Sequence, residues 1–165
     1  MFDFDNNYLQ TWSIFGGKNS NNLFLEFEKQ NSVLRVISDY GKGASANNEI
    51  RGKILGGGYE PYILAFFIGL YSDKRKKIKA ESKVLGQPIQ YWGNLDSKKG
   101  RNAYSSIRPF ILTALVAKSD IDLIALDKGE LPLAEAVTIL IETMEEYANY
   151  GFHLMEEKLK DNKIY

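Results

Sequence analysis

The sequence predicts a mostly α protein: one helical domain over residues 22–165, with a short extended segment inside it and an arm over 1–21 before it. Three observations predict this. Apolar residues recur at helical spacing over 132–160, backed by a face of acids. Two further apolar stretches open at Pro61 and Pro109, and proline suits the first turn of a helix. The chain is 44% hydrophobic and has no cysteine, so an apolar core, and not disulfides, has to hold it together.

Residues 1–21 are rich in Asn and Gly, with Phe2, Phe4, Tyr8, Trp12 and Phe15 scattered among them. They read as an arm whose aromatics dock on the domain or on a partner. A helix is expected over 22–40. Asn22 suits its cap, Leu23, Phe27, Leu34 and Ile37 fall near helical spacing, and Gly41 can stop it. Alternation around Val33, Arg35 and Val36 leaves a strand open there. Residues 41–48 form a turn-rich connector, and Gly56, Gly57 and Gly58 lead into Pro61.

The helix over 61–72 is apolar all round, with Glu60 near its positive end. Such a helix is expected to be buried on all sides, at the centre of the core. Residues 80–103 read as loop and extended structure, with Ile89 and Tyr91 two apart as on one face of a short strand. Residues 105–108 can cap a helix over 109–118 that, with the last helix, packs the central one. A short helix fits 120–127, and 127–130 is a loop. In the last helix Val137, Leu140, Ile141, Met144, Ala148, Gly151 and Met155 mark the apolar face, and Lys158, Lys160 and Lys163 suit its negative end. Gly151, in mid-helix, implies a close crossing or a kink.

Charge is sorted along the chain. Residues 51–108 hold twelve Lys/Arg against four Asp/Glu, a net of +8, and residues 119–157 hold ten Asp/Glu against one Lys, a net of −9. The halves attract one another and present different fields to a partner. Lys74, Arg75, Lys76, Lys77 and Lys79, with Lys98, Lys99 and Arg101, make two basic runs suited to phosphates, and Tyr91 and Trp92 lie between them as candidate base-stacking rings. The alternatives are a solubilising loop or a surface that mates with the acidic helix.

Conventional catalytic signals are sparse. Gly41-x-Gly43 lacks the strand and third glycine of a dinucleotide fingerprint, and Gly56–Gly58 lacks the Gly-Lys-Ser/Thr of a phosphate loop. His153 is the only histidine and reads as a packing or helix-end residue. Glu142 and Glu146 share a helix face and could hold a divalent cation only with a partner group. No cofactor, metal or catalytic residue is assigned. The start, Met1-Phe2-Asp3-Phe4-Asp5, has no basic flank or apolar run, and the longest apolar run covers half a membrane span, so a cytoplasmic protein away from the membrane is expected.

Several segments together resemble a known family. They are Ala65-Phe66-Phe67-Ile68-Gly69-Leu70 followed by Lys74-Arg75-Lys76; Pro88-Ile89-Gln90-Tyr91-Trp92; Leu112-Thr113-Ala114-Leu115-Val116-Ala117-Lys118-Ser119-Asp120; and Glu145-Glu146-Tyr147-Ala148-Asn149-Tyr150-Gly151. Across residues 59–160 the chain resembles Dnd system-associated protein 4, an accessory family found beside bacterial DNA phosphorothioation and restriction systems. The resemblance implies a role in antiphage defence and carries over no catalytic residue.

The reading that follows is a non-enzymatic accessory subunit of such a system. It would join a larger protein through its arm and acidic helix and touch DNA through the basic runs. Tyr147, Asn149 and Gly151 mark a place for tight packing on a neighbour, within this subunit or another. The alternatives are a stand-alone DNA-binding regulator or sensor, and a small metal-dependent nuclease using Glu142 and Glu146. The oligomeric state is left open.

Overall fold

The computed structural model describes residues 24–26, 59–79, 82–84, 89–94 and 102–161, with single positions at 33, 37, 38 and 55. The described elements are β1 (Phe24–Glu26), α1 (Tyr59–Ser72), β2 (Ser82–Val84), a 3-10 turn at Ile89–Tyr91, α2 (Ile107–Lys118), α3 (Leu123–Asp127) and α4 (Leu133–Asp161). The fold is mostly α, as the composition and periodicity predict. Its contacts divide it into two compact units. One holds the 3-10 turn, α2, α3 and α4 as far as Met144; the other holds β1, α1, β2 and α4 from Glu145 onward. No helix among the described residues is long and apolar enough to cross a membrane.

In the first unit, α2 buries Ile111, Leu112 and Leu115, positions one helical turn or less apart. The expected cap is corrected: Ser106 is itself helical in conformation and its side chain caps nothing. Instead Arg108 donates from its backbone and from Nε to the Ser105 carbonyl, at 3.2 and 3.3 Å. α3 does start on a side-chain cap, with Asp122 Oδ1 accepting from the Ile124 and Ala125 amides at 3.0 and 2.9 Å. The first part of α4 buries Ala136, Val137, Leu140, Ile141 and Met144. Buried Thr143 donates its hydroxyl to the Ile139 carbonyl at 2.7 Å, which removes the cost of an unpaired polar group.

Residues 89–91 correct the expected strand. A proline such as Pro88 fixes a backbone angle that suits the first turn of a helix as well as an extended chain. The Trp92 amide closes the turn on the Ile89 carbonyl at 3.0 Å. Ile89 is then buried while Tyr91 is exposed, so the two residues do not share a face.

In the second unit, β1 pairs antiparallel with β2 in the register Phe24 to Val84, Leu25 to Lys83 and Glu26 to Ser82. This corrects the helix expected over 22–40 at its start. Val33 and Ile37 are helical, and Ser38 forms a parallel bridge with Leu55. The rest of that span, the arm over 1–21, the connector over 41–48 and the glycines at 56–58 lie outside the described residues.

Helix α1 runs antiparallel to the second part of α4. Gly69 lies on the Tyr147 backbone, and Gly151 lies on the Ala65 backbone. Small residues on both helices therefore let the main chains touch. Around this crossing Tyr62 meets Phe152 edge-on at 5.8 Å between centroids, and Phe66 meets Tyr147 at 6.4 Å. Burial, and secondarily the charge of Glu145, pushes the Tyr62 hydroxyl well above the usual phenol range.

The uniformly apolar α1 is not buried on all sides. Tyr62, Ile63, Ala65, Phe66 and Gly69 are buried, whereas Leu64 is 42% and Tyr71 88% exposed, with Phe67 and Ile68 between. Positions 64, 68 and 71 recur at helical spacing, so one apolar stripe of α1 faces outward.

Candidate nucleic-acid interface

The basic run after α1 is set by how that helix ends. Asp73 takes a left-handed backbone angle, φ 50°. Its amide donates to the Leu70 carbonyl at 3.1 Å and the Lys74 amide donates to the Gly69 carbonyl at 3.2 Å. This pair of bonds closes the helix and reverses the chain. Gly69 is already against α4, so residues 74–79 emerge alongside that helix.

Residues 74–79 have no regular secondary structure, yet their backbone is bonded to α4 at Lys76 and Lys77. The Lys76 amide donates to the Glu146 carbonyl at 3.0 Å. The Asn149 side-chain amide donates to both the Lys76 and Lys77 carbonyls, each at 3.1 Å. Asn149 is 1% exposed, so these bonds form away from water. Two cations then lie against the helix. Arg75 Nε donates to Glu146 Oε2 at 2.7 Å, with its guanidinium 5.5 Å from the centre of the Tyr147 ring. The Lys74 ammonium stands 5.7 Å from the centre of the Tyr150 ring.

The attraction between the basic and acidic parts is thus realised at Arg75 and Glu146. These side chains are 36% and 21% exposed, so the pair is worth at most about 1 kcal/mol. Asn149 and the backbone bonds do more to hold the segment. The result is a cationic strip with Lys74, Arg75, Lys77 and Lys79 exposed and Lys76 half-buried.

The other candidates fall out differently. Lys98, Lys99 and Arg101 lie outside the described residues. Trp92 is 0% exposed, which corrects its reading as a base-stacking ring; Tyr91 stays accessible. Tyr147, Asn149 and Gly151 are buried, and they pack or bond to α1 and residues 74–79 of the same chain. Of the two readings open for them, this is the intramolecular one. Glu142 is exposed, and Glu146 is engaged by Arg75. Among the described residues, no three His, Asp or Glu side chains gather in a group that could hold a metal ion.

Two participants escape a reading of the sequence alone. Hydropathy places Tyr71 in a buried helix, whereas its ring is open to solvent. Asn149 stands out in the sequence, but not as the pin of the basic strip; the available signal is a buried-face asparagine in mid-helix, where that residue is a poor helix former. No protein-family model matches the chain, and comparisons with curated proteins and with solved structures return no match.

Proposed function

We propose that this chain is a non-enzymatic accessory subunit that contacts nucleic-acid phosphate through residues 74–79. One observation carries the reading: the backbone of a five-cation strip is bonded to α4 by Asn149 while Lys74, Lys77 and Lys79 remain exposed. A tail needed only for solubility gains nothing from a buried pin, whereas a strip that must meet phosphates loses less entropy when held in place. The acidic face of α4 offers a partner protein the opposite field. The resemblance to Dnd system-associated protein 4 supports placing the subunit in a bacterial modification–restriction type of antiphage defence.

The test is DNA binding by the full chain followed by fluorescence anisotropy between about 50 and 200 mM salt. Replacing Lys74, Lys77 and Lys79 together with alanine should weaken binding about equally for every sequence. It should also flatten the log–log salt dependence, by about 0.9 on a duplex or about 0.7 on a single strand for each phosphate that the variant no longer neutralises. Wild-type protein that binds no DNA at the lowest salt, or a variant with an unaltered slope, would count against this function.

A further inference from the structure

The exposed end of α1 adds a second kind of contact to that strip, and on the proposed function we infer that the nucleic acid is engaged as a single strand. The specific claim is that Tyr71 stacks on an unpaired base while Lys74, Lys77 and Lys79 hold the adjoining phosphates.

Tyr71 is the most exposed of the large apolar residues among those described, at 88%. It sits in the last turn of α1, three residues before Lys74, and the chain reversal at Asp73 joins the two. Phe67 lies one turn behind it, with ring centroids 6.5 Å apart and planes 37° from parallel, and leaves the tyrosine ring open to solvent. An exposed ring next to a cationic strip whose backbone is bonded to α4 is the pairing that single-strand binding needs, since bases stack on the ring while ammonium groups follow the backbone. Duplex DNA offers the same phosphates but keeps its base faces stacked inside, so it can use the lysines and not the ring. The charge of the neighbouring strip also argues against an apolar protein partner at this spot, because lysines are depleted from the centres of such interfaces.

Anisotropy with an oligo-dT, an oligo-U and a duplex of equal length separates the contributions. Tyr71→Ala should weaken oligo-dT binding by about tenfold and leave duplex affinity within about twofold, while Tyr71→Phe retains wild-type affinity for both. An equal loss on oligo-U makes stacking on the base the shared chemistry; a loss on one strand type alone assigns the source. Phe110→Ala, which alters another exposed ring, should have no effect. The inference fails if Tyr71→Ala leaves both oligo-dT and oligo-U binding intact, if it weakens duplex and single strand equally, or if Phe110→Ala produces the loss instead. In each of those cases the phosphate contact survives. Wild-type protein that binds none of the three probes overturns the proposed function itself.

Discussion

Replacing Gly69 or Gly151 with alanine is expected to lower the melting temperature by roughly 4–8 °C, against the usual effect of that substitution. In an ordinary helix interior, Gly→Ala stabilises by about 1 kcal/mol. Here the added methyl has nowhere to go. At Gly69 it would overlap the Tyr147 carbonyl, and at Gly151 it would overlap the Ala65 carbonyl. Both obstacles are main chain, so no rotamer change relieves them, and α1 and α4 must separate. Separation loosens the ring contacts of Tyr62 with Phe152 and Phe66 with Tyr147. Overpacking of this kind costs about 3 kcal/mol, leaving about 2 kcal/mol after the helix-propensity gain, and each kcal/mol shifts a chain of this size by roughly 2–4 °C. One separation relieves both clashes, so the double variant should lose less than the sum of the singles. A circular-dichroism melt decides it; a higher melting temperature for either variant would show that the helices do not touch there.

Asn149→Ala is the second large effect. It leaves the Lys76 and Lys77 carbonyls without the donor they share, at a cost of about 1–3 kcal/mol. Asn149→Asp should cost more, because a carboxylate has no proton to offer two carbonyl oxygens. Glu146→Gln gives the contrast. It removes the ion-pair charge but keeps a hydrogen-bonding side chain at a partly exposed site, and should cost under about 1 kcal/mol. Urea titration of the three variants checks the order. If Glu146→Gln proves the most damaging, the charge pair and not the buried amide holds the strip.

The three longer helices are legible for different reasons: α4 carries enough turns for its apolar period to show, whereas α1 and α2 are apolar stretches that open at Pro61 and Pro109. The failures are local. The three residues 24–26 are too few to carry a period, and they are a strand only because 82–84 lie beside them. Pro88 permits a helical turn and an extended chain alike, so spacing alone cannot assign Ile89 and Tyr91. The apolar face of α1 that stays exposed is invisible to hydropathy, since Leu64 and Tyr71 look like core residues. Of the candidate site, the cations of residues 74–79 are plain in the sequence. Their fixing is not, because it depends on Gly69 and Gly151 bringing two helices close enough for Asn149 to reach the chain beyond α1.

The account rests on residues 74–79 being a fixed surface and not a solvated tail, and amide hydrogen exchange of the full chain tests that most directly. The Lys76 amide, bonded to the Glu146 carbonyl at 3.0 Å, should exchange far more slowly than a solvated peptide, and oligo-dT should slow exchange further around residues 71–79. Exchange of Lys76 at the rate of a free peptide, unchanged by the oligonucleotide, would contradict it.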